Sequence, residues 1–360
     1  MQRMMDALVL RAIGDLRCEK VPMPQLQEGE ALVRVVAAGI CGSDVPRVYE
    51  HGTYRFPLIP GHEFSGLVEA VCGSSPRAVG PIQGGMRVTV KPLIPCRRCR
   101  FCEVGAFGQC VAYDYLGSRS DGAWAEYVRV PQENLVPLPE GLSLMEAALS
   151  EPLAVALHAV RQGPVAPGDA VLVLGAGPIG MMVAQWATLT GAGQVLMVDI
   201  DERKLDLAAR LGLGKTLNAR FGDPVAWAME QTQGLGADVV VEAAGVAATV
   251  RQAIHAARPL GRVVLLGNPS GDVALPQAGV SQILRKQLTI RGSWNSNFAH
   301  LPVDEWRVAV EMMAAGRIVV GPLISHRLPL CDGPAVLERM RGGREFYHRV
   351  VLVNEGEKVA

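Results

Sequence analysis

Hydrophobic patterning divides the chain into two textures. Across 155–293, short apolar runs alternate with stretches of helical period: AVLVLGAG, IGMMVAQWATLTG, QVLMVDID, KLDLAARLG, ADVVVEAAG and RVVLLGN. Apolar runs of strand length separated by amphipathic segments predict a parallel sheet with helices on both faces, a doubly wound α/β domain. Across 6–152 the texture differs, with Gly, Pro and short runs such as ALVRVVAAGI, EFSGLVEAV and MRVTVKPLI set between turn residues. That pattern predicts an irregular, mostly antiparallel β domain. After Trp294 the chain offers one amphipathic helix, about 303–315, and short strands ending in RVVLVNEG. A tail this small is expected to return and complete the first domain. The expected organisation is therefore 1–154 with 296–360 as one domain, carrying a lobe at about 91–115, and 155–295 as the other.

With 360 residues the chain is long enough for two cores. Thirty-five basic residues face thirty-five acidic ones, so no global field exists to attract nucleic acid or an anionic membrane. The opening MQRMMDALVLRAIGD has only a short apolar run before Arg11, too little for a signal-peptide core, and the expected location is cytoplasmic. No charge occurs between Asp169 and Asp199, but Gly175, Gly177, Pro178, Gly180, Gln185 and Gln194 suit a buried strand, turn and helix better than a bilayer span.

Four of the eight cysteines cluster: Cys96, Cys99, Cys102 and Cys110, spaced CxxCxxCx7C. In a reducing compartment disulfides are not expected, and this spacing suits a tetrahedral zinc. Bacterial ferredoxins also begin CxxCxxC, but their fourth cysteine follows after three residues and precedes proline, whereas Val111 follows here. Four sulfurs saturate the ion and leave no place for substrate, so the expected role is structural.

A second set is dispersed. Cys41 lies in AAGICGSD, His62 and Glu63 in LIPGHEFSG, and Glu151 in SEPLAVALHA. One thiol, one imidazole and one or two carboxylates form the mixed, unsaturated set of a catalytic zinc with an exchangeable position. Singly, each has an ordinary reading: a cysteine packed after a strand, a surface pair, a helix start. VLVLGAGPIG places Gly175, Gly177 and Gly180 as GxGxxG after an apolar strand, and Asp199 ends the next strand nineteen residues past Gly180. Gly175 would permit the tight turn, Gly177 the approach of a pyrophosphate, and Gly180 close helix–strand packing. Asp199 would accept the adenosine ribose hydroxyls and repel a 2′-phosphate, favouring NAD over NADP.

Together, CGSD, GHE, the EP dipeptide, the thiol-rich lobe and GAGPIG make the chain resemble the zinc-dependent medium-chain dehydrogenases, in their polyol dehydrogenase branch. The stretches CGSDVPRVYEHGTYRFPLIPGHEFSG, PLIPCRRCRFCEVGAFGQCVAYDYLGSRSDG and LRKQLTIRGSW carry that likeness beyond the metal ligands. The resemblance implies a GroES-like catalytic domain and a Rossmann domain, and a zinc- and NAD-dependent oxidation of a polyol or polyol phosphate to the ketose. It implies that Cys41, His62 and Glu63 hold the catalytic zinc, with Glu151 as a fourth, exchangeable ligand, and that the four clustered cysteines hold the second ion. Ser43 matches the hydroxyl that bonds the substrate oxygen. Pro178, Ile179, Asp199 and Lys204, with the stretches around Gly267 and Trp294, would line the NAD cleft. A homodimer or homotetramer is implied as well. Val45 and Pro46 stand where related alcohol dehydrogenases often carry a relay histidine, so the proton's exit beyond Ser43 is left open.

Arg47 and Arg119 suit a substrate phosphate, although most arginines are solvated surface. Trp294 and Asn295 suit the pocket wall. His51, His158 and Cys331 read as structural, and Arg285 with Lys286 as a solvated face. Two rivals stand beside this reading: a dehydrogenase of an unphosphorylated polyol or of another secondary alcohol such as threonine, separable by substrate comparison, and an NAD-binding protein with an empty mixed site, separable by metal analysis.

Overall fold

The computed structural model describes residues 3–78, 80–343 and 345–354. The outermost ends of the first expected domain, including the end of RVVLVNEG, lie outside the described residues. The chain divides into two compact units, Met1–Glu151 with Asn297–Ala360, and Pro152–Ser296.

The first unit is built on a seven-stranded sheet. Its strands run Ile324–Pro329, Arg349–Val353, Glu30–Ile40, Glu63–Cys72, Arg87–Val90 and Leu135–Pro137 in spatial order, and Tyr127–Pro131 also pairs with Glu30–Ile40. All pairs are antiparallel except Ile324–Pro329 with Arg349–Val353. The long strand Glu30–Ile40 is buried along both faces towards its end, which is why EALVRVVAAGI reads as an apolar run and not as an alternation. Its core gathers Leu8, Leu10, Phe64, Val88, Val90, Trp124 and Leu352, and the tail strand Arg349–Val353 belongs to it.

Strand register brings distant residues together. In the antiparallel ladder Gly39 faces Glu63, and on the other side Val350 faces Ile40. The residues just past these pairs, Cys41, His62 and Arg349, therefore meet at one end of the sheet although they are far apart along the chain. Gly39 is required there, because a Cβ at that position would lie 2.5 Å from the Glu63 carboxylate.

A hairpin, Met4–Ala12 with Asp15–Pro22, lies in the same unit. Its Cys18 is joined to Cys331 as a disulfide, with Cα atoms 5.3 Å apart. This corrects the expectation that all eight cysteines stay reduced. That expectation came from composition, which says nothing of two thiols 313 residues apart that the fold sets side by side.

The second unit is a six-stranded parallel sheet in the order Lys215–Asn218, Gln194–Asp199, Ala170–Leu174, Ala237–Glu242, Ala257–Leu265, Thr289–Gly292. This is the doubly wound order of a dinucleotide fold. The charge-free stretch after Asp169 becomes the strand Ala170–Leu174 and the helix Pro178–Leu189. Among the described residues no helix is long and apolar enough to cross a membrane.

Candidate active site

At the end of the first unit's sheet, ligand atoms of Cys41, His62 and Glu63 lie within 4.8 Å of one another. Each is positioned by a separate local device. Cys41 sits in the turn after Glu30–Ile40, where the buried Asp44 accepts its backbone N–H at 2.9 Å. His62 precedes the strand Glu63–Cys72 and is fed into it by Gly61, whose φ of +97° and packing against Trp124 admit no side chain. Asp44 Oδ1 lies 3.6 Å from His62 Nδ1 and is paired with Arg47, so one buried carboxylate orients both the thiol turn and the imidazole.

Glu63 is fully buried, and Arg349 balances it at 2.9 and 3.0 Å. Arg349 also donates to the Ile40 carbonyl at 3.1 Å. Burial, with Glu63 and Asp44 nearby, pushes the Cys41 thiol up to about 11. The donor set fits a divalent cation on these grounds: ligand atoms of three kinds converge with His62 Nε2 on the side of Glu63, and burial together with crowded negative charge opposes ionisation of the thiol.

Glu151 stands outside that tight group. It is buried at the start of the helix Ser150–Gln162, and Tyr115 donates its hydroxyl to Oε1 at 3.4 Å. Burial raises its carboxyl to about 8, moderated by His62 and reinforced by Glu63 and Cys41. Ser43 lies on the exposed side, its hydroxyl 3.3 Å from the Cys41 sulfur. Asp44, Tyr115 and Arg349 are site residues that motif reading missed. The DY in the lobe and the D of CGSD were visible in the sequence, whereas nothing local marks Arg349.

The four-cysteine cluster converges too, its sulfurs within 4.8 Å of one another. The Cys99–Cys102 and Cys99–Cys110 separations are 3.6 and 4.0 Å. The edge of a tetrahedron with bonds of about 2.3 Å to sulfur is about 3.8 Å, so the set fits zinc. The single turn Arg100–Glu103 and the left-handed Arg97 and Gly105 coil the loop tightly enough to turn the thiols inward. Backbone N–H groups of Val111, Cys102 and Phe101 hold the Cys99 thiol low, while burial and neighbouring thiols push Cys102 up.

In the second unit, Gly175 has φ +108° at the turn into the helix Pro178–Leu189, and a Cβ on Gly180 would lie 1.8 Å from the Gly175 carbonyl oxygen. Nothing lies within 4 Å of a Cβ on Gly177. Asp199 accepts the N–H of Ala176 at 2.8 Å and those of Ile200 and Asp201 at 2.8 and 2.9 Å, with Lys204 Nζ 3.5 Å away. Ile179 is half-buried in the helix's first turn. Gly267 packs against Gly245 and the buried Glu242, which accepts from Ala244, Gly245 and Thr249. Trp294 is 56 % exposed, and Asn295 is left-handed at φ +58°.

Of the two arginines considered for a phosphate, Arg47 is bound to Asp44, while Arg119 lies over the rings of Tyr54 and Tyr113.

Residues 27–140 match the alcohol dehydrogenase GroES-like domain and residues 178–315 the zinc-binding dehydrogenase domain. Galactitol 1-phosphate 5-dehydrogenase of Escherichia coli K12 is 34 % identical over 325 residues, covering 90 % of this chain and 92 % of the relative. D-xylulose reductase A of Aspergillus oryzae is 33 % identical over 353 residues, covering 94 % of each. The crystal structure of galactitol-1-phosphate dehydrogenase from Escherichia coli superposes with a TM-score of 0.90 at 32 % identity, over 97 % of this chain and 100 % of that one.

Proposed function

We propose, starting from the fact that this chain belongs to the zinc-binding alcohol dehydrogenase family, that it oxidises a secondary alcohol of a polyol or polyol phosphate to the ketose with NAD as hydride acceptor. The observation that carries the reading is the convergence of Cys41, His62 and Glu63 on one point, with Ser43 on the open side. Cys41, His62 and Glu63 would hold the catalytic zinc, with Glu151 as an exchangeable fourth ligand, and the four clustered cysteines would hold a structural zinc. When bound, zinc supplies Lewis acidity that brings alcohol ionisation towards neutral pH, and the nicotinamide accepts the hydride. Ser43 takes or passes the hydroxyl proton. Asp44 orients His62, Arg349 offsets the charge of Glu63, and the Tyr115 ring, 5.9 Å from the His62 ring, walls the site.

Asp199 at the strand end favours NAD, since its carboxylate suits ribose hydroxyls and repels a 2′-phosphate. Gly175, Gly177, Pro178, Ile179, Gly180, Lys204, Gly267 and Trp294 line the cofactor's place, and Asn295 the pocket wall. Similarity to galactitol 1-phosphate 5-dehydrogenase favours a polyol phosphate, while nearly equal identity to D-xylulose reductase favours a free polyol as the second reading. The working unit is a homodimer or homotetramer, which light scattering will measure.

An NAD-coupled screen of galactitol 1-phosphate, galactitol, xylitol, sorbitol and threonine tests the substrate. Turnover of none of the polyols or their phosphates by zinc-loaded protein would sink the proposal. Metal analysis is expected to find both ligand groups occupied. Cys41→Ser should lose the ion of the mixed group and all turnover while retaining the other.

A further inference from the structure

Resting on the polyol dehydrogenase reading, we infer that Arg119 binds a phosphate monoester at the substrate's far end, making it the residue that separates phosphorylated from free polyols. Its guanidinium carbon lies 3.9 Å from the centroid of the Tyr54 ring and 4.4 Å from that of Tyr113. Among the described residues no carboxylate pairs with it, and its Nε is cut off from water without an acceptor. Its neighbours do not compete for the role. Arg55 is bound to Asp121 at 2.8 Å and to the Pro57 carbonyl at 2.9 Å, and Arg47 is held by the buried Asp44.

A cation that merely pinned this loop would be expected to take an acid partner, and the adjacent Asp121 is already spent on Arg55 and on the Ile59 N–H. A guanidinium stacked on rings keeps its Nη groups in the plane available even where Nε is covered, and that paired end is the fork that matches phosphate oxygens.

Position connects this cation to the chemistry. The Tyr113 ring meets the Tyr115 ring edge-on at 6.2 Å, and the Tyr115 ring stands 5.9 Å from that of His62. Ring contacts thus run in succession from His62 through Tyr115 and Tyr113 to Arg119. A polyol phosphate set alongside this run of rings would have the carbon to be oxidised at the ligand end and its phosphate at the guanidinium. Tyr54, 70 % exposed, covers the outer end.

The test compares kcat/KM for a hexitol 1-phosphate with that for the same hexitol unphosphorylated, in zinc-loaded wild type, Arg119→Ala and Arg119→Lys. The preference for the phosphate ester should fall by about tenfold or more in Arg119→Ala, mainly through KM, as expected for losing a charge-assisted pair. Arg119→Lys should recover part of it, since the charge remains without the fork. An unchanged preference in both variants overturns the assignment, and a protein that turns over free polyols would leave the dehydrogenase reading standing. If wild type oxidises no polyol of either kind, that reading fails, and calorimetric titration with inorganic phosphate decides Arg119 by itself. Binding that is lost in Arg119→Ala supports the assignment; equal binding, or none in wild type, overturns it. Should Arg119→Ala not fold, Arg119→Gln, which keeps a planar polar end without charge, takes its place in each measurement.

Discussion

Arg349 shows how much one side chain can matter without being visible in the sequence. It opens an unremarkable apolar strand, RVVLV, yet it is 4 % exposed and neutralises a fully buried carboxylate 286 residues away. Breaking a buried pair from one side strands the other charge, which costs about 3–5 kcal/mol. Arg349→Ala should therefore lower unfolding free energy by about that amount in urea titration, and Glu63→Gln in the same background should restore part of it. Cys41, His62 and Glu63 were legible as a candidate set through CGSD and GHE taken with the family resemblance, since each alone has an ordinary reading, and only the structure brings them together. Arg349 was not, because its partner is supplied by strand pairing. Arg119 was legible only as one of two arginines that suit a phosphate, with Arg47; the rings it lies over and the acid that holds Arg47 were not.

Pairing between elements turns those motifs into a site. The ladder that sets Gly39 opposite Glu63 and Ile40 opposite Val350 also brings the next residues of each strand together. A slip of one residue would reverse every side chain on the strand and disperse the ligands. The apolar runs and helical periods marked four of the six parallel strands and the helices Pro178–Leu189 and Glu202–Arg210, since each of these carries its own periodicity. The short edge strands Lys215–Asn218 and Thr289–Gly292 and the helices Pro224–Gln231, Ala247–Ala256 and Gln277–Lys286 were not marked. Close approaches were partly legible: GxGxxG marked Gly180, but Gly39 looked like any glycine in a strand. Gly180→Ala would force a Cβ to within 1.8 Å of the Gly175 oxygen, so helix and strand must part. The expected cost is about 1–3 kcal/mol in thermal or chemical unfolding, together with weakened NAD binding by fluorescence titration.

For the whole molecule, metal occupancy and pH are coupled through the buried acids. In metal-free protein the Glu151 carboxyl ionises only at about 8, against 4.5 ordinarily, because burial disfavours its charge. Between those values the folded state holds a proton that the unfolded chain has released. Stability from this group is complete below 4.5 and is lost as pH rises through 8, with a slope of up to about 1.4 kcal/mol per pH unit. Chelator-treated protein should thus weaken towards alkaline pH in denaturant titrations, and added zinc should flatten the decline by binding the folded state. A pH-independent stability of the metal-free protein across that window would contradict the burial of a protonated Glu151. The sequence by itself determined the doubly wound class, the four-thiol cage and the glycine-rich turn, because their information lies in spacing and period within a few dozen residues. Tertiary structure alone decided that Glu151 stands outside the three converging ligands, that Arg349 balances Glu63, that Cys18 joins Cys331, and that Arg47 is held by Asp44 while Arg119 lies over two tyrosine rings. Those outcomes depend on which distant strands and loops become neighbours, and on how burial then sets the charge each group can carry.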